Sequence, residues 1–333
     1  MGALQCHIDG MGYSDRISIL DEVGYTMKRR EFIETVILAG AGAMAGGCAT
    51  DIETTPDRVP YGETIGDRLW MWGHHAMSLA LLPPAERKNR HNNYGFPLER
   101  HIDMAPACAN MDIPGCFVVR WRNLPTKAEL PAYMKQFAAT KRVGFSITDS
   151  AVESFDEKVR LGLEFADRMP NLTTLIMDDY WSARSYEQSF ERLLAAKREM
   201  SVRGLKLGVV LYADVNGVKS CFKDVLDLCD EITFWFWNGK NVAGIEEQVA
   251  KLRTLVGPKK AVLLGQYMWD FGGGRPMSAE RMENQLEQTA RMLARKEISG
   301  VIFHCTPLVD MDLDAVNISR RWIKANASRR WGS

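Results

Sequence analysis

The sequence has no excess of charge of either sign, since 42 Lys and Arg residues balance 42 Asp and Glu residues among 333 positions. Without a basic excess there is no general attraction to a polyanion, so nucleic acid is not an expected partner. The seven cysteines form no CxxC pair and no spacing typical of a zinc site. These absences leave a neutral, locally recognised substrate as the expected ligand.

Phosphate-binding and metal-binding motifs are also missing. Gly272, Gly273 and Gly274 stand together, but the GxGxxG spacing and a following Lys-Ser/Thr are absent, so we expect a flexible loop that closes over a pocket. His74, His75 and His304 make no convincing metal set, because neighbouring histidines on a strand point apart and no carboxylate completes the group. We therefore expect no cofactor and no catalytic metal.

The first 50 residues contain the parts of an export signal. A basic start at residues 27–33 is followed by an apolar stretch and then by small residues up to Cys48. The paired arginines before Phe32 resemble a twin-arginine signal, and residues 45–48 resemble a bacterial lipoprotein box. The features predict an exported protein of the periplasm or cell envelope that is anchored to the membrane by a lipid on Cys48. Residues upstream of Met27 have no signal character.

Two interpretations remain open for Cys108 and Cys116. An exported chain permits a local disulfide between them, whereas scattered buried thiols are the more common arrangement for such spacing. After a polar linker over residues 51–66, one domain over residues 67–328 is expected, because a chain with 46% hydrophobic residues is long enough for a large core.

From residue 67 onward a short apolar run, a polar or aromatic tip and an amphipathic stretch alternate eight times. The predicted strands cover residues 68–73, 115–121, 142–148, 172–178, 205–212, 231–237, 260–267 and 298–304. The predicted helices cover residues 131–141, 155–169, 185–203, 218–229, 242–256, 278–296 and 313–325, with Ser278 as an N-cap. Near-continuous apolar strands alternating with helices indicate a parallel sheet buried on both faces. We therefore predict a (β/α)8 TIM barrel.

The first connection departs from this rhythm. The stretch of residues 74–114 is long for a barrel loop and contains the loop-like sequences Pro83-Pro84, Asn92-Asn93 and Tyr94-Gly95-Phe96-Pro97. We expect a short helix and a lid in this stretch.

In barrels of this class the active site lies at the carboxyl ends of the strands, so the polar and aromatic residues at those ends form one candidate pocket. The candidate substrate-binding residues are Trp72, His74, Arg120, Asp149, Tyr180, Tyr212, Asp214, Trp235, Trp237, Asn238, Gln266, Tyr267, Asp270 and His304. Tryptophan and tyrosine offer flat apolar faces to a sugar ring, while carboxylates and amides bind its hydroxyl groups. Carbohydrate is therefore the predicted substrate class.

The candidate catalytic residues are Asp178 and Asp179, where the fourth apolar strand ends abruptly in two adjacent carboxylates. Glycoside cleavage uses one protonated carboxyl as acid and a second negative group to stabilise the positively charged transition state. Neighbouring carboxylates push each other's pKa values apart, and a turn at the strand end would let both reach the mouth of the barrel.

The Asp-Asp pair at this place resembles the pair in the O-GlcNAcase-like hexosaminidases, which are retaining enzymes with this barrel fold. The resemblance covers this pair and the strand pattern. It implies that Asp178 orients and polarises the 2-acetamido group of the substrate, which attacks as the nucleophile. It also implies that Asp179 is the general acid and base.

Other interpretations of the same residues stay open. Asp178 pairs with Arg120 and Asp179 caps a turn in a purely structural alternative, while another enzymatic alternative combines either residue with Asp214 or Asp270. At the level of function, the sequence predicts a glycoside hydrolase that acts on a poly- or oligosaccharide outside the cytoplasm. The alternatives are a non-catalytic carbohydrate-binding lipoprotein and a metal-dependent sugar lyase, epimerase or deacetylase.

Overall fold

The computed structural model describes residues 58–78, 102–180, 190–214 and 217–333, and within them the chain forms a closed parallel barrel. The predicted export signal, Cys48, the linker up to residue 57 and residues 79–101 of the long first connection lie outside the described residues. The predicted (β/α)8 fold class is confirmed.

Eight of the ten described strands close the barrel in the order β1-β10-β7-β6-β5-β4-β3-β2. The strands are β1 Leu69–Gly73, β2 Gly115–Val118, β3 Arg142–Ser146, β4 Leu172–Met177, β5 Lys206–Tyr212, β6 Glu231–Trp235, β7 Ala261–Tyr267, β8 Trp269–Asp270, β9 Arg275–Pro276 and β10 Gly300–His304. Every neighbouring pair in the barrel is parallel. All eight barrel strands overlap the predicted ones, and several end two or three residues earlier because the chain turns at the mouth.

The barrel strands are buried on both faces, as their near-continuous apolar sequence requires. Large indole rings fill the interior, and strand glycines make room for them. A Cβ atom on Gly265 would lie 1.9 Å from the Trp235 ring, and one on Gly115 would lie 2.7 Å from the Trp70 ring. The close approach of ring to backbone explains why glycine stands inside these two strands.

The structure describes eight α-helices outside the barrel. They are α1 Met104–Asn110, α2 Leu130–Tyr133, α3 Phe155–Arg168, α4 Phe190–Val202, α5 Lys223–Leu228, α6 Ile245–Val256, α7 Ala279–Ala294 and α8 Asp314–Asn326. Helix α3 begins with a capping box in which Ser154 and Glu157 exchange side-chain and backbone hydrogen bonds. Ser278 caps α7 as predicted, since its hydroxyl accepts from the Arg281 amide. None of the helices in the described ranges is long and apolar enough to span a membrane.

Two predicted elements are shorter than expected. The helix predicted for residues 131–141 is a four-residue α2 followed by a 3-10 turn over Met134–Phe137, and the one predicted for 218–229 is a 3-10 turn over Ser220–Phe222 before α5. The α1 helix supplies the short helix predicted in the long first connection. The three glycines after Asp270 form the tip of the β8–β9 hairpin, whose strands pair antiparallel.

Residues 58–66, the described part of the predicted linker, pack against the amino end of the barrel. Tyr61 accepts a 3.0 Å hydrogen bond from the Trp70 indole and lies 4.3 Å from the Arg142 guanidinium. Thr64 pairs with Arg330, and Ile65 donates its amide to Arg329. The apolar Ile65 is buried, and an aromatic ring over a buried guanidinium gains from the cation–π interaction.

The described cysteines Cys108, Cys116, Cys229 and Cys305 are buried free thiols. The disulfide that the sequence left open for Cys108 and Cys116 is therefore not formed, and the alternative of scattered buried thiols describes these four residues.

Candidate active site

A cavity of about 170 Å³ opens at the carboxyl end of the barrel strands. Each lining residue lies near the carboxyl end of a barrel strand or in the loop after that strand. This is the position expected for an active site in this fold. The lining residues are Trp72, His74, Val119, Trp121, Ser150, Asp178, Asp179, Tyr212, Trp235, Trp237, Tyr267, Phe271, His304, Cys305 and Pro307. Nine of the predicted site residues therefore line one cavity, and Asp178 and Asp179 are among them.

The backbone at the end of β4 explains how two consecutive aspartates reach the same cavity. Side chains alternate between the faces of a regular strand, but β4 ends at Met177 and Asp179 has a φ of 49°. This left-handed conformation is uncommon outside glycine and is best tolerated by Asp and Asn. The turn redirects Asp179, so both carboxyls line the cavity, and the Asp179 carboxyl stays open to it.

Burial raises the pKa of both carboxyls. The pKa of Asp178 lies well above its usual value because the group is desolvated and because Asp179 and Asp149 place negative charge near it. Desolvation also raises the pKa of Asp179, against a hydrogen bond from Tyr212 that lowers it. Two such groups titrate as a coupled pair that keeps one proton over a wider pH range than isolated aspartates do. The site thus combines a proton donor and a carboxylate.

Tyr212 and Tyr267 lie next to the acid pair. The Tyr212 hydroxyl donates to Asp179 Oδ1 at 3.1 Å, and a side-chain hydrogen bond joins Tyr212 to Tyr267. Burial, together with the charge of Asp179, raises the pKa of both phenols well above the usual value. Both hydroxyls therefore stay protonated, and Tyr212 orients the Asp179 carboxyl.

Aromatic rings form the remaining wall. The Trp235 ring centroid lies 5.2 Å from Trp72 and 5.1 Å from Tyr267, and Trp237 lies 5.1 Å from Phe271. Edge-to-face and tilted contacts of this kind are favourable between rings, so the wall is a packed aromatic surface with few ways to rearrange.

Two histidines complete the lining. His74 follows β1 and His304 ends β10, and their ring centroids are 5.5 Å apart. Burial lowers the pKa of His74 to about 4, although a hydrogen bond to the Val119 backbone raises it. Burial and the neighbouring His74 also lower the pKa of His304 well below its usual value. Both imidazoles are therefore uncharged at neutral pH.

Arg120 and Asp149 were predicted to bind substrate, but neither lines the cavity in the described structure. Arg120 is fully buried and holds Glu153 through two hydrogen bonds of 2.7 and 3.1 Å. Asp149 accepts from the Arg120 amide and pairs with Lys158 at 2.9 Å. Buried charges require partners, and here the partners come from α3 and the loop before it. The structural alternative that pairs Asp178 with Arg120 is therefore not observed.

Asp214 and Asp270 also hold loops in place through hydrogen bonds, and neither residue lines the cavity. Asp214 accepts from the amides of Trp237 and Asn238, both at 2.8 Å. Asp270 accepts from the amides of Gly239 and Gly273 at 2.8 and 2.9 Å. Carboxylates that accept several backbone N–H groups hold loops in place, and both Asp214 and Asp270 do so here.

Three further candidates lie away from the cavity lining. Asn238 packs beside the Gly272 backbone, since a Cβ atom on Gly272 would lie 2.0 Å from its side-chain oxygen. Gln266 points outward from β7 and donates to Thr289 of α7 at 3.0 Å. Its neighbour Tyr267 faces inward, and successive side chains of a strand point to opposite faces. Tyr180 is half-buried and packs against the core.

Six lining residues were not among the predicted site residues. Trp121 lies three residues after the end of β2 and belongs to the aromatic signal at the strand ends. The others, Val119, Ser150, Phe271, Cys305 and Pro307, reach the cavity through loop conformation. Ser150, for example, is fixed by a 2.8 Å hydrogen bond from the Arg122 amide, a contact between two loops that no sequence motif marks.

Within the described ranges, no three His, Cys, Asp or Glu side chains are placed to hold a metal ion. The chemistry that the lining offers consists of a coupled acid pair, two phenols, two neutral imidazoles and an aromatic surface.

No protein-family model and no curated protein sequence matches this chain. Its structure is similar to a chitinase from Chromobacterium violaceum, with a TM-score of 0.45 and 9% identity over 78% of this chain and 99% of that one. It is also similar to a curdlan-specific exo-beta-1,3-glucanase from Blastomyces gilchristii, with a TM-score of 0.45 and 13% identity over 77% and 98% of the two chains. A mutant tryptophan synthase alpha-subunit from Pyrococcus furiosus has a TM-score of 0.44 and 8% identity over 79% and 98%. A (β/α)8 barrel can host many unrelated functions, so the function has to be argued from the site.

Proposed function

We propose that this protein is a glycoside hydrolase that cleaves a poly- or oligosaccharide by carboxylate acid/base chemistry. The observation that supports this most is the convergence of Asp178 and Asp179 on one aromatic-lined cavity at the carboxyl end of the barrel. A sugar ring needs flat apolar surfaces for its C–H faces and fixed polar groups for its hydroxyls, and the cavity offers both.

The geometry supports the role of Asp179 as general acid and base. Its carboxyl faces the cavity and is oriented by the Tyr212 hydroxyl. Asp178 lies deeper and accepts the Asp179 amide hydrogen. In the proposed reaction Asp179 gives its proton to the glycosidic oxygen as the bond to the anomeric carbon breaks. An oxygen of the attacking group, which Asp178 polarises, bonds to the anomeric carbon in place of the leaving oxygen. Water then attacks that carbon, gives a proton to Asp179 and releases the attacking oxygen.

The attacking group in this scheme is the 2-acetamido group of the substrate. Among the described residues, the lining contains no carboxylate besides Asp178 and Asp179, because Asp214 and Asp270 are occupied by backbone amides. A nucleophile supplied by the substrate agrees with this arrangement and with the resemblance of the pair to the O-GlcNAcase-like hexosaminidases. The proposed substrate is therefore an N-acetylhexosamine glycoside.

The proposed site of action is outside the cytoplasm. This part of the proposal rests on the signal-like residues 27–47 and on Cys48, which would carry the lipid anchor. Radiolabelled palmitate incorporation that disappears in a Cys48→Ser variant would support the anchor, and a protein found only in the cytoplasm would contradict it.

The experiment that tests the function is a glycan screen with mass detection of products, using purified protein that lacks the residues before Cys48. We expect cleavage of a glycan with a terminal N-acetylhexosamine. Asp179→Asn should lower kcat by roughly 10²- to 10⁴-fold and leave sugar binding in place. The loss should be smaller for an aryl glycoside with an acidic phenol as leaving group, because that group needs little protonation.

Asp156→Asn is the matched control, since Asp156 is an exposed residue of α3 that pairs with Arg192. It should leave turnover unchanged. Full turnover by Asp179→Asn would refute the acid role. Saturable sugar binding without any product across the library would instead identify a non-catalytic carbohydrate-binding protein.

A further inference from the structure

The aromatic residues of the cavity differ in how much of each ring remains exposed. Four of them are buried, namely Trp72, Trp235, Tyr267 and Phe271. Trp121, Tyr212 and Trp237 are only half-buried. A sugar can stack only on a ring that keeps an accessible face. Among the described lining residues, the indoles that keep exposed surface are therefore Trp121 and Trp237.

These two indoles stand on either side of the acid pair. Trp121 follows β2, Asp179 follows β4 and Trp237 follows β6. In the closed barrel order β4 is two strands away from β2 and two strands away from β6, and β2 lies opposite β6. A glycosidic oxygen within reach of Asp179 therefore has one indole on each side of it.

The polar residues show which sugar lies on which side. Tyr212 and Tyr267 stand on β5 and β7, and their rings are 5.9 Å and 6.2 Å from the Trp237 ring. The sugar whose anomeric carbon is attacked needs these phenols and the acid pair around it, so it lies toward β6. On the other side the lining is provided by Ser150 of the loop after β3 and by Trp121. The leaving sugar therefore lies toward β2.

The loop after β2 holds the Trp121 ring in place by an unfavourable backbone conformation. The next two residues, Arg122 and Asn123, have φ values of 56° and 62°. Such conformations persist only where the surroundings fix them, and they occur often at functional sites. Here the buried Arg120 guanidinium donates to Asn123 Oδ1 at 2.9 Å. The Trp121 ring itself lies 5.5 Å from the His74 ring and 5.3 Å from the Arg122 guanidinium.

We propose that Trp121 is a specificity residue that stacks on the leaving sugar of the substrate. The inference rests on the proposed glycosidase function and narrows its substrate to a glycan in which a second sugar ring follows the scissile bond. A methyl group or a serine side chain in that place has no ring to cover the indole. Glycosides of such groups are therefore the poorer ligands.

Binding to the Asp179→Asn protein tests this role without relying on turnover, because that variant is expected to bind sugars without cleaving them. One pair of probes is methyl N-acetyl-β-D-glucosaminide and N,N′-diacetylchitobiose. The other is methyl N-acetyl-β-D-galactosaminide and the disaccharide of N-acetyl-β-D-galactosamine with N-acetyl-D-glucosamine. The members of a pair share the terminal sugar and differ in the group that follows it. In calorimetry we expect the disaccharide of at least one pair to bind about tenfold more tightly than its methyl glycoside.

Further substitutions in the same protein separate stacking from general packing. Trp121→Ala should weaken that disaccharide about tenfold and leave the methyl glycoside within about threefold. Trp121→Met fills more of the space without a flat face and should behave in the same way, which keeps the test valid if the alanine variant does not fold. Trp121→Phe keeps a ring and should restore the disaccharide to within about threefold.

Trp322→Ala is the matched control, because this half-buried indole of α8 packs on Phe303 and does not line the cavity. It should change the affinity of neither ligand. Thermal unfolding of each variant shows whether it is folded.

The outcomes distinguish the role of Trp121 from the function. An unchanged ratio of the two affinities in a folded Trp121→Ala or Trp121→Met variant overturns the role, whether both ligands bind as before or both are weakened equally. A disaccharide that binds no more tightly than its methyl glycoside does the same. In each of these cases, cleavage in the glycan screen still supports the glycosidase proposal. If no probe binds and no glycan is cleaved, the proposed function fails and the role of Trp121 fails with it.

Discussion

The ion pair between Arg120 and Glu153 offers a quantitative test of whether Arg120 stabilises the fold or binds substrate. Arg120 is 0% exposed and the Glu153 side chain is 6% exposed. The guanidinium also donates to the Pro125 carbonyl at 2.8 Å and to Asn123 Oδ1 at 2.9 Å. Since the donors of Arg120 are directed at protein atoms, we assign it to the support of the loop after β2.

Glu153→Gln leaves the shape of the side chain but removes its charge. The loss of one partner from a buried ion pair leaves an uncompensated charge and costs roughly 3–5 kcal/mol. For a domain of this size each kcal/mol lowers Tm by about 2–4 °C, so we expect a decrease of roughly 6–20 °C. Replacing both residues, as in Arg120→Met with Glu153→Leu, should recover part of the loss because neither charge then stays buried.

The pH dependence of unfolding checks the same interaction. Although burial opposes it, the hydrogen bond and charge of Arg120 lower the pKa of Glu153 in the folded protein. A lowered folded-state pKa contributes stability that is present above the unfolded value of about 4.3 and is lost as the pH falls through the folded value. The stability difference between the native protein and Glu153→Gln should therefore shrink below about pH 4.

The assay is thermal unfolding followed by circular dichroism at several pH values, with sugar binding measured on the same samples. An unchanged Tm for Glu153→Gln at pH 7, together with a loss of sugar binding, would refute the structural assignment. It would return Arg120 to the substrate-binding role that the sequence indicates.

Two further predictions concern the cavity. Tyr212→Phe removes the donor to Asp179, so the pKa of the acid pair should rise. The limb of the pH–rate profile that reports the pair should then move to higher pH. An unchanged profile would show that the hydrogen bond does not affect the pKa of the acid. Gly265→Ala places a methyl group where the Trp235 ring lies, so we expect about 1–3 kcal/mol of destabilisation by overpacking together with weaker sugar binding, measured by denaturant unfolding and calorimetry. Gly257→Ala offers a control with open space around the Cβ position but a φ of 76°, which strains the backbone without touching the cavity and should leave sugar binding intact.

The sequence predicts the barrel well because each of its strands must be buried on both faces, and such strands have few polar residues until they end. Periodicity therefore locates all eight barrel strands. Their ends are less well defined, since residues such as Trp121 and Trp237 remain apolar after the chain has left the sheet. The mouth of the barrel is built from these continuing residues.

The site is predictable where a residue acts through its own position and less so where distant partners decide its role. Asp178 and Asp179 are visible as a polar break at a strand end. Arg120 has the same appearance, yet Glu153, a residue 33 positions away, takes it out of the site. Trp70 and Trp72 share one face of β1 by alternation, but only Trp72 lines the cavity, whereas Trp70 meets Tyr61 at the other end.

The packing of residues 58–66 against the amino end of the barrel has a consequence for orientation. The described chain enters the fold at the amino end of the barrel, beside the Thr64–Arg330 pairing, while the cavity opens at the carboxyl end. Residues 58–66 therefore brace the end of the barrel away from the cavity and leave its opening unobstructed.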